Sequence, residues 1–265
     1  MSPLKNLIET AWENKDAPHP ALPKALQEII LDLDRGTLRV CEKENGTWHT
    51  QAWLKKALLL SFPLTPTRLM TFPMTGYDKM PSKFDGWDKA DFEKADFRVV
   101  PGALVRRGTY VAPKCILMPS FTNFGAYIDE GTLIDMGAAV GSCAQIGKKC
   151  HISAGAMIGG VVEPVQASPV IIEDHVFVGA SACLVEGVVV EEGAVIGMGT
   201  KMGASTPLVE RATGRITYGR VPAYAVVVPG TIAGDNGVAL QCAVLIKQVD
   251  EKTRHKTAIN DLLRL

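Results

Sequence analysis

The sequence has few aromatic residues, no net charge and no long apolar run. Among its 265 residues, 28 Lys and Arg balance 28 Asp and Glu, and only 6% are Phe, Trp or Tyr. A balanced chain has no broad positive field, which argues against nucleic acid or an anionic membrane as a partner. Its most apolar stretches, such as 57–62 and 223–228, are far shorter than the ~20 residues of a membrane-spanning helix. The start of the chain also lacks the apolar segment of a secretory signal, so we expect a cytosolic protein.

Clustered metal ligands are also missing. The six cysteines include no CxxC pair, which argues against a zinc ribbon and against a disulfide scaffold. A catalytic zinc site would need three convergent histidines, and the middle of the chain has only His151 and His175. We therefore expect no metal, and we interpret both histidines as surface or subunit-interface residues.

The first 100 residues predict a mixed, mainly helical domain. Apolar residues recur at helical spacing over 4–12, 26–33 and 53–61, and the second of these segments stops at Gly36. An Asn45-Gly46 step between alternating residues indicates a short hairpin. The charged and aromatic stretch 79–97 predicts a connector that lies along the surface of the protein.

From residue 128 onward, an aliphatic side chain appears at every sixth position, and the pattern survives an eight-residue insertion. A small or thiol-bearing residue stands four places after most of these positions. The same period occurs upstream at Val105, Val111 and Leu117, although 117–128 is one residue short of two repeats. The repeating positions are Ile128, Ile134, Val140, Ile146, Ile152, Ile158, Ile172, Val178, Leu184, Val190, Ile196 and Met202.

A period of six fits neither a helix nor a simple strand, but it fits a coil of three short strands stacked into a parallel β-helix. We predict a mainly β fold, a left-handed β-helix over 101–233, after the N-terminal domain at 1–100. A loop over 207–218 should interrupt it. A C-terminal extension at 234–265 should contain a strand over 242–249 and an amphipathic helix over 256–265.

Several motifs together resemble the tetrahydrodipicolinate N-succinyltransferase family of the diaminopimelate and lysine pathway. They cover nearly the whole chain, from Leu7-Ile8-Glu9-Thr10-Ala11 to the closing 259–264. The others are Phe97-Arg98-Val99-Val100-Pro101, Leu117-Met118-Pro119-Ser120, Gly125-Ala126-Tyr127, Asp129-Glu130-Gly131-Thr132, 140–147 (VGSCAQIG), Ile171-Ile172-Glu173-Asp174 and 218–222 (YGRVP).

The resemblance implies transfer of an acyl group from CoA to the amino nitrogen of tetrahydrodipicolinate or its ring-opened form. Arg98 matches the family's substrate-binding arginine, which would fork onto a carboxylate of the acceptor. The alternative interpretation of Arg98 is an ordinary surface salt bridge to Asp96 or Glu93. Asp135 matches the family's acidic site residue, which would hold or deprotonate the amine, and its alternative is a solvated turn residue.

The co-substrate implied is an acyl-CoA lying along the later coils. Gly179, Ala180 and Gly197 would contact its pantetheine, and Lys201 and Arg220 would contact its phosphates. Hexapeptide rods usually form trimers with clefts between neighbouring rods, so we expect a homotrimer.

The sequence departs from the family at one informative place. Where the family has Gly-Ala-Arg-Ser-Glu, this chain has Gly179-Ala180-Ser181-Ala182-Cys183, and Gly137 replaces an expected aromatic residue. The lost Arg and Glu would remove charge that could recognise a succinyl carboxylate. This favours acetyl-CoA slightly, as in the related acetyltransferase of the tabtoxin pathway, with succinyl-CoA as the alternative. A third hypothesis is a trimeric scaffold whose site is dead.

Overall fold

A computed structural model describes residues 3–14, 19–71, 75–234 and 237–264. No helix in this part of the chain is long and apolar enough to cross a membrane. Three helices and a hairpin open the fold, as the sequence patterns predicted. A second short hairpin and a fourth helix follow them. The elements are α1 (Pro3–Glu13), α2 (Leu22–Arg35), β1 (Cys41–Glu44), β2 (Thr47–Thr50), α3 (Ala52–Leu64), β3 (Arg68–Met70), β4 (Gly76–Asp78) and α4 (Lys89–Ala95).

Two turns of this region depend on positive φ angles. Helix α2 ends at Gly36, which has a φ of 76° and donates its N–H to the carbonyls of Asp32 and Leu33. Asn45 and Gly46, with φ of 48° and 80°, turn β1 into β2. Glycine and asparagine adopt this left-handed conformation at the least cost, which is why both positions could be recognised in the sequence.

The stretch 79–97 does more than connect the two parts of the chain. Helix α4 lies within it, which the sequence analysis did not predict. Asp88 caps the helix by accepting hydrogen bonds from the backbone N–H groups of Ala90 and Asp91, at 2.7 and 3.2 Å. Phe84 is buried against the core of the β-helix, and Trp87 and Phe97 pack around it. The aromatic side chains therefore cover the first coil of the prism.

The middle of the chain is a left-handed parallel β-helix of two-residue strands. Successive strands move from one face of a triangular prism to the next, and every third strand pairs in parallel with its predecessor on the same face. The strands are β5 (Arg98–Val99), β6 (Leu104–Val105), β7 (Tyr110–Val111), β8 (Ile116–Leu117), β9 (Phe121–Thr122), β10 (Tyr127–Ile128), β11 (Leu133–Ile134), β12 (Ala139–Val140), β13 (Gln145–Ile146), β14 (His151–Ile152), β15 (Met157–Ile158), β16 (Ile171–Ile172), β17 (Phe177–Val178), β18 (Cys183–Leu184), β19 (Val189–Val190), β20 (Val195–Ile196) and β21 (Lys201–Met202).

Five more strands and two short helices complete the chain, and the strands sort into three sheets with those of the prism. Sheet I contains β7, β10, β13, β16, β19 and β24, and sheet III contains β6, β9, β12, β15, β18 and β21. Sheet II holds the other ten strands outside the two N-terminal hairpins. The remaining elements are β22 (Leu208–Glu210), β23 (Ile216–Thr217), β24 (Arg220–Val221), β25 (Ala225–Ala233), β26 (Ala239–Gln248), α5 (Glu251–Lys256) and α6 (Ile259–Leu262).

The repeating aliphatic positions form the core of the prism. All twelve of them from Ile128 to Met202 are at most 1% exposed, which confirms the predicted inward face. In the shortened repeat between Leu117 and Ile128, the inward position is taken by Thr122, whose side chain is 0% exposed. Because each strand has only two residues, the residue before the inward one points outward. The prism therefore offers three outward faces on which side chains from successive coils align.

The C-terminal part differs from the prediction in three ways. The predicted loop over 207–218 contains the antiparallel strands β22 and β23. The last strand is longer than expected, because β26 pairs with the whole length of β25. The predicted helix over 256–265 is replaced by α5 and α6. Asp250 starts α5 early by accepting the Thr253 N–H at 2.7 Å, and the extended backbone of Thr257 ends it.

The N-terminal domain is held on the prism by buried polar contacts. Glu173 accepts hydrogen bonds from Lys43 Nζ at 2.7 Å and from Trp48 Nε1 at 2.8 Å. Burial alone would raise the pKa of Glu173, but these bonds outweigh it and lower the pKa. Lys55 is completely buried and donates to the carbonyls of Pro164 and Ala167, at 2.9 and 2.6 Å. Lys55 therefore fixes the eight-residue insertion of the repeat.

Candidate active site on sheet II

Arg98 lies on the first strand of sheet II with a guanidinium group that makes no hydrogen bond or ion pair within the described residues. The two acids that could have paired with it have other partners. Asp96 binds Lys114 at 2.5 Å, and Glu93 binds Lys89 at 2.5 Å. Arg98 instead borders a shallow depression of about 570 Å³. An exposed, unpaired guanidinium of this kind is suited to binding a carboxylate from solution.

Asp135 follows strand β11 and is paired with a histidine. Its Oδ1 accepts the backbone N–H of Met136 at 2.7 Å, and its Oδ2 lies 3.4 Å from His151 Nε2. The imidazole also packs edge-on against Phe177, with ring centroids 5.3 Å apart and planes at 89°. The sequence patterns predicted a surface or subunit-interface residue at His151 and did not predict this contact. The signal was available, since an 18-residue coil places His151 in register with Leu133, two residues before Asp135.

Arg98 and Asp135 lie on the same outward face. Arg98 is in register with Ile116, and Ile116 is in register with Leu133, which stands two residues before Asp135. The strands that carry Arg98 and Asp135 are therefore two ladder steps apart, roughly 10 Å in the direction of the hydrogen bonds. This separation suits an extended molecule with a carboxylate at one end and an amine near the other.

The three small residues expected to contact CoA lie together where sheet II turns into sheet III. A side chain on Gly179 would place its Cβ 2.5 Å from the backbone nitrogen of Met198, and the Gly199 N–H donates to the Ala180 carbonyl at 2.9 Å. Gly197 is the next residue of sheet II in the same row, since the Gly179 N–H binds the carbonyl of Ile196. Gly179 and Gly197 are buried with backbone close to the added Cβ position, whereas Ala180 is exposed, so Ala180 is the one of these three residues that a ligand can reach directly.

The two cations expected to contact CoA are not on the same face. Lys201 is exposed on sheet III, and its side chain makes no hydrogen bond or ion pair within the described residues. Arg220 belongs to sheet I, where its Nε is already bound to Glu191 Oε1. The structure therefore brings Lys201 close to the glycine corner, but it does not bring Arg220 there.

Among the departures from the family pattern, Cys183 lies on the outward face of sheet III, whereas Gly137 and Ser181 lie in the turns that lead into this sheet. Cys183 is in register with Met157 on one side and with Lys201 on the other. Lys201 thus supplies a cation directly beside the position that has lost its charge. Cys183 is partly exposed, whereas burial raises the pKa of Cys143 and Cys150 to about 12. These two buried thiols are therefore unsuited to act as nucleophiles.

No group of three or more His, Cys, Asp or Glu side chains that could hold a metal ion occurs within the described ranges. All six cysteines are free thiols, and none forms a disulfide.

Comparisons with known proteins agree along the whole chain. The family profile described as "Tetrahydrodipicolinate N-succinyltransferase N-terminal" matches residues 3–64, and "Hexapeptide repeat of succinyl-transferase" matches residues 169–201. The chain is 53% identical to a 2,3,4,5-tetrahydropyridine-2,6-dicarboxylate N-succinyltransferase of Bartonella bacilliformis over 98% of both chains. It is 52% identical to the protein of that name from Caulobacter vibrioides, over the full length of both.

A solved structure supports the fold. The crystal structure of a protein from Campylobacter jejuni, described as a 2,3,4,5-tetrahydropyridine-2-carboxylate N-succinyltransferase, superposes with a TM-score of 0.54 at 14% identity. The match covers 83% of this chain and 62% of that one. At this identity the likeness concerns the fold alone.

Proposed function

The chain belongs to the tetrahydrodipicolinate N-succinyltransferase family, and from that premise we propose that it transfers a succinyl group from CoA to the amino nitrogen of tetrahydrodipicolinate or its ring-opened form. It is an acyltransferase that uses a CoA thioester. The observation that carries the proposal is identity above 50% over essentially the whole chain to enzymes named for this reaction.

Arg98 is the proposed carboxylate-binding residue of the acceptor site. Its guanidinium is exposed and unpaired within the described residues, while the neighbouring acids Asp96 and Glu93 are neutralised by lysines. In a chain without net charge, a dianionic acceptor must be recognised by such local groups. Two parallel N–H donors would fix both the position and the orientation of one carboxylate.

Asp135 is proposed to attract the amino end of the same acceptor. Its carboxylate stands on the same outward face as Arg98, and the two differ in charge as the two ends of the acceptor do. Holding the amine here would align it with a thioester lying along the glycine corner at Gly179, Ala180 and Gly197. Alignment of two bound reactants supplies a large part of the rate enhancement of such transfers.

The proposed donor is succinyl-CoA, whereas the 181–183 stretch slightly favoured acetyl-CoA. That preference assumed that the lost Arg and Glu left no charge to recognise a free carboxylate. Lys201 lies in register beside Cys183, so a cation is present on this face. The names of the relatives also specify succinyl transfer. Arg220 would contact a CoA phosphate only if its ion pair with Glu191 were broken.

We expect purified protein to release free thiol from succinyl-CoA in the presence of tetrahydrodipicolinate. Its kcat/KM should be up to about 5-fold above that for acetyl-CoA, the upper end of what one exposed charge pair would give. Lys201→Met should remove this preference by lowering only the value for succinyl-CoA. A loss for both donors would place Lys201 at a CoA phosphate.

The matched control for this measurement is Lys24→Met, an exposed lysine of helix α2 that should leave both values unchanged. Equal or better use of acetyl-CoA by the unaltered protein would contradict the succinyl donor. Binding of the thioester without any thiol release would instead support the scaffold hypothesis.

We also propose a homotrimer, because the chain exposes apolar side chains around the glycine corner. Met136, Met157 and Met198 are 56, 51 and 74% exposed. Exposed apolar side chains grouped in one region are typical of an interaction surface. We expect sedimentation equilibrium to give about three times the chain mass of 28.5 kDa. A mass near that of one chain would contradict the trimer, and Met157→Lys should weaken it by burying an unpaired charge.

A further inference from the structure

The acceptor amine must lose a proton as it attacks the thioester. An alkyl amine is a cation at neutral pH, and the nitrogen that attacks cannot keep all of its protons in an amide product. A proton acceptor works best when its own pKa lies near the working pH, which imidazole meets at ~6.5 and a carboxylate at ~3.9 does not. An imidazole is therefore the side chain best suited to accept this proton.

The contacts of Asp135 show how its carboxylate is used. One oxygen is held by the Met136 N–H at 2.7 Å, and the other faces His151 Nε2 at 3.4 Å. The carboxylate is thus directed at the imidazole. A hydrogen bond from Nε2–H to this oxygen selects one tautomer of the ring and leaves the Nδ1 lone pair as the proton acceptor.

The imidazole is both supported and accessible. Phe177, one ladder step away, packs edge-on against the ring at 5.3 Å and limits its rotation. The side chain of His151 is nevertheless 40% exposed, so a bound molecule can reach it. His151 also shares its outward column with Arg98, three ladder steps or roughly 14 Å away. An acceptor anchored at Arg98 and extended along this column would bring its amine to the imidazole.

We propose that His151 is the general base of the transfer and that Asp135 is its positioning residue. This inference rests on the proposed function. The ammonium first loses one proton to solvent. The neutral amine then attacks the thioester carbonyl carbon, a new N–C bond forms, and an N–H proton passes to Nδ1 of His151. The tetrahedral intermediate then collapses, the C–S bond breaks, and the departing thiolate takes the proton from the imidazolium. Asp135 stabilises the imidazolium while it exists.

The test uses His151→Ala and His151→Gln in the thiol-release assay with saturating donor. We expect both to lower kcat by about 100- to 1,000-fold with little change in either KM, because general-base catalysis contributes about that much. Glutamine keeps a donor for Asp135 but cannot accept the proton. Added imidazole should restore part of the kcat of His151→Ala. In the His151→Ala background, Asp135→Asn should lower kcat little further, since the two act as a unit in the proton transfer, whereas its loss of attraction for the amine should appear in KM for the acceptor.

His49→Ala is the control, because His49 is an exposed histidine of β2 that should not affect activity. Full activity of His151→Gln, a failure of imidazole to restore activity, or full additivity with Asp135→Asn would overturn the assignment. If His151→Ala does not fold, His151→Gln, alone and combined with Asp135→Asn, still decides it. Failure of the unaltered protein to turn over any donor would refute the proposed function instead, so the two outcomes are distinguishable.

Discussion

Arg98→Ala is expected to reduce kcat/KM for the acceptor about 100-fold while KM for the CoA thioester stays nearly constant. A charge-assisted pair between a guanidinium and a carboxylate contributes about 1.5–3 kcal/mol, and each 1.36 kcal/mol is a factor of ten in rate. The effect should fall on the acceptor because Arg98 lies on sheet II, away from Lys201 on sheet III. The measurement is initial-rate kinetics in which each substrate is varied in turn.

Two further variants make this result specific. Arg98→Lys keeps the charge but loses the two parallel donors, so it should recover only part of the activity. Arg35→Lys changes an exposed arginine at the end of α2 and should have no effect. An unchanged kcat/KM in Arg98→Ala would remove Arg98 from the site and would revive its interpretation as an ordinary surface residue.

Ile146→Ala is expected to destabilise the prism by about 3 kcal/mol, within the range of 2–5 kcal/mol for buried Ile→Ala changes. Ile146 is completely buried and stacks between Ile128 and Ile172 on sheet I. Because parallel backbones on both sides fix the coil spacing, the neighbouring coils cannot collapse into the space that a smaller side chain leaves. Thermal unfolding should show a melting temperature lower by roughly 6–12 °C.

Leu69→Ala is the matched control, because Leu69 is 67% exposed on β3 and its removal should shift the melting temperature little. Both variants should be compared at one protein concentration, since association with other copies stabilises the folded chain. A shift below about 1 °C for Ile146→Ala would mean that the prism relaxes around the cavity.

Much of the fold could be predicted from the sequence because the prism is made by local repetition. Every sixth residue faces inward, so the period alone identified Ile134, Ile152 and the other core positions. The bounds of the C-terminal helix were predicted wrongly, although α6 lies within the predicted range. Helix α5 begins at the Asp250 cap, and the extended backbone at Thr257 separates it from α6. Neither feature belongs to the repeat.

The candidate site was predictable only in part. Arg98 and Asp135 were selected by their motifs, but the sequence could not show that Asp96 and Glu93 are occupied by lysines. The 18-residue coil places Asp135 and His151 on neighbouring coils, but it does not show that their side chains meet. Such contacts join residues on neighbouring coils, and they depend on which outward side chains the coil register aligns.

By itself the sequence determined the hexapeptide coil, its inward face and its turns, because these depend on residue size and backbone preference within a few positions. Only the tertiary structure decided which outward residues meet. It paired Asp135 with His151, set Lys201 beside Cys183 and joined Lys43 to Glu173 across 130 positions of sequence. The physical reason is that burial of aliphatic side chains fixes the coil, whereas polar contacts on its surface form only between groups that the finished coil brings within reach.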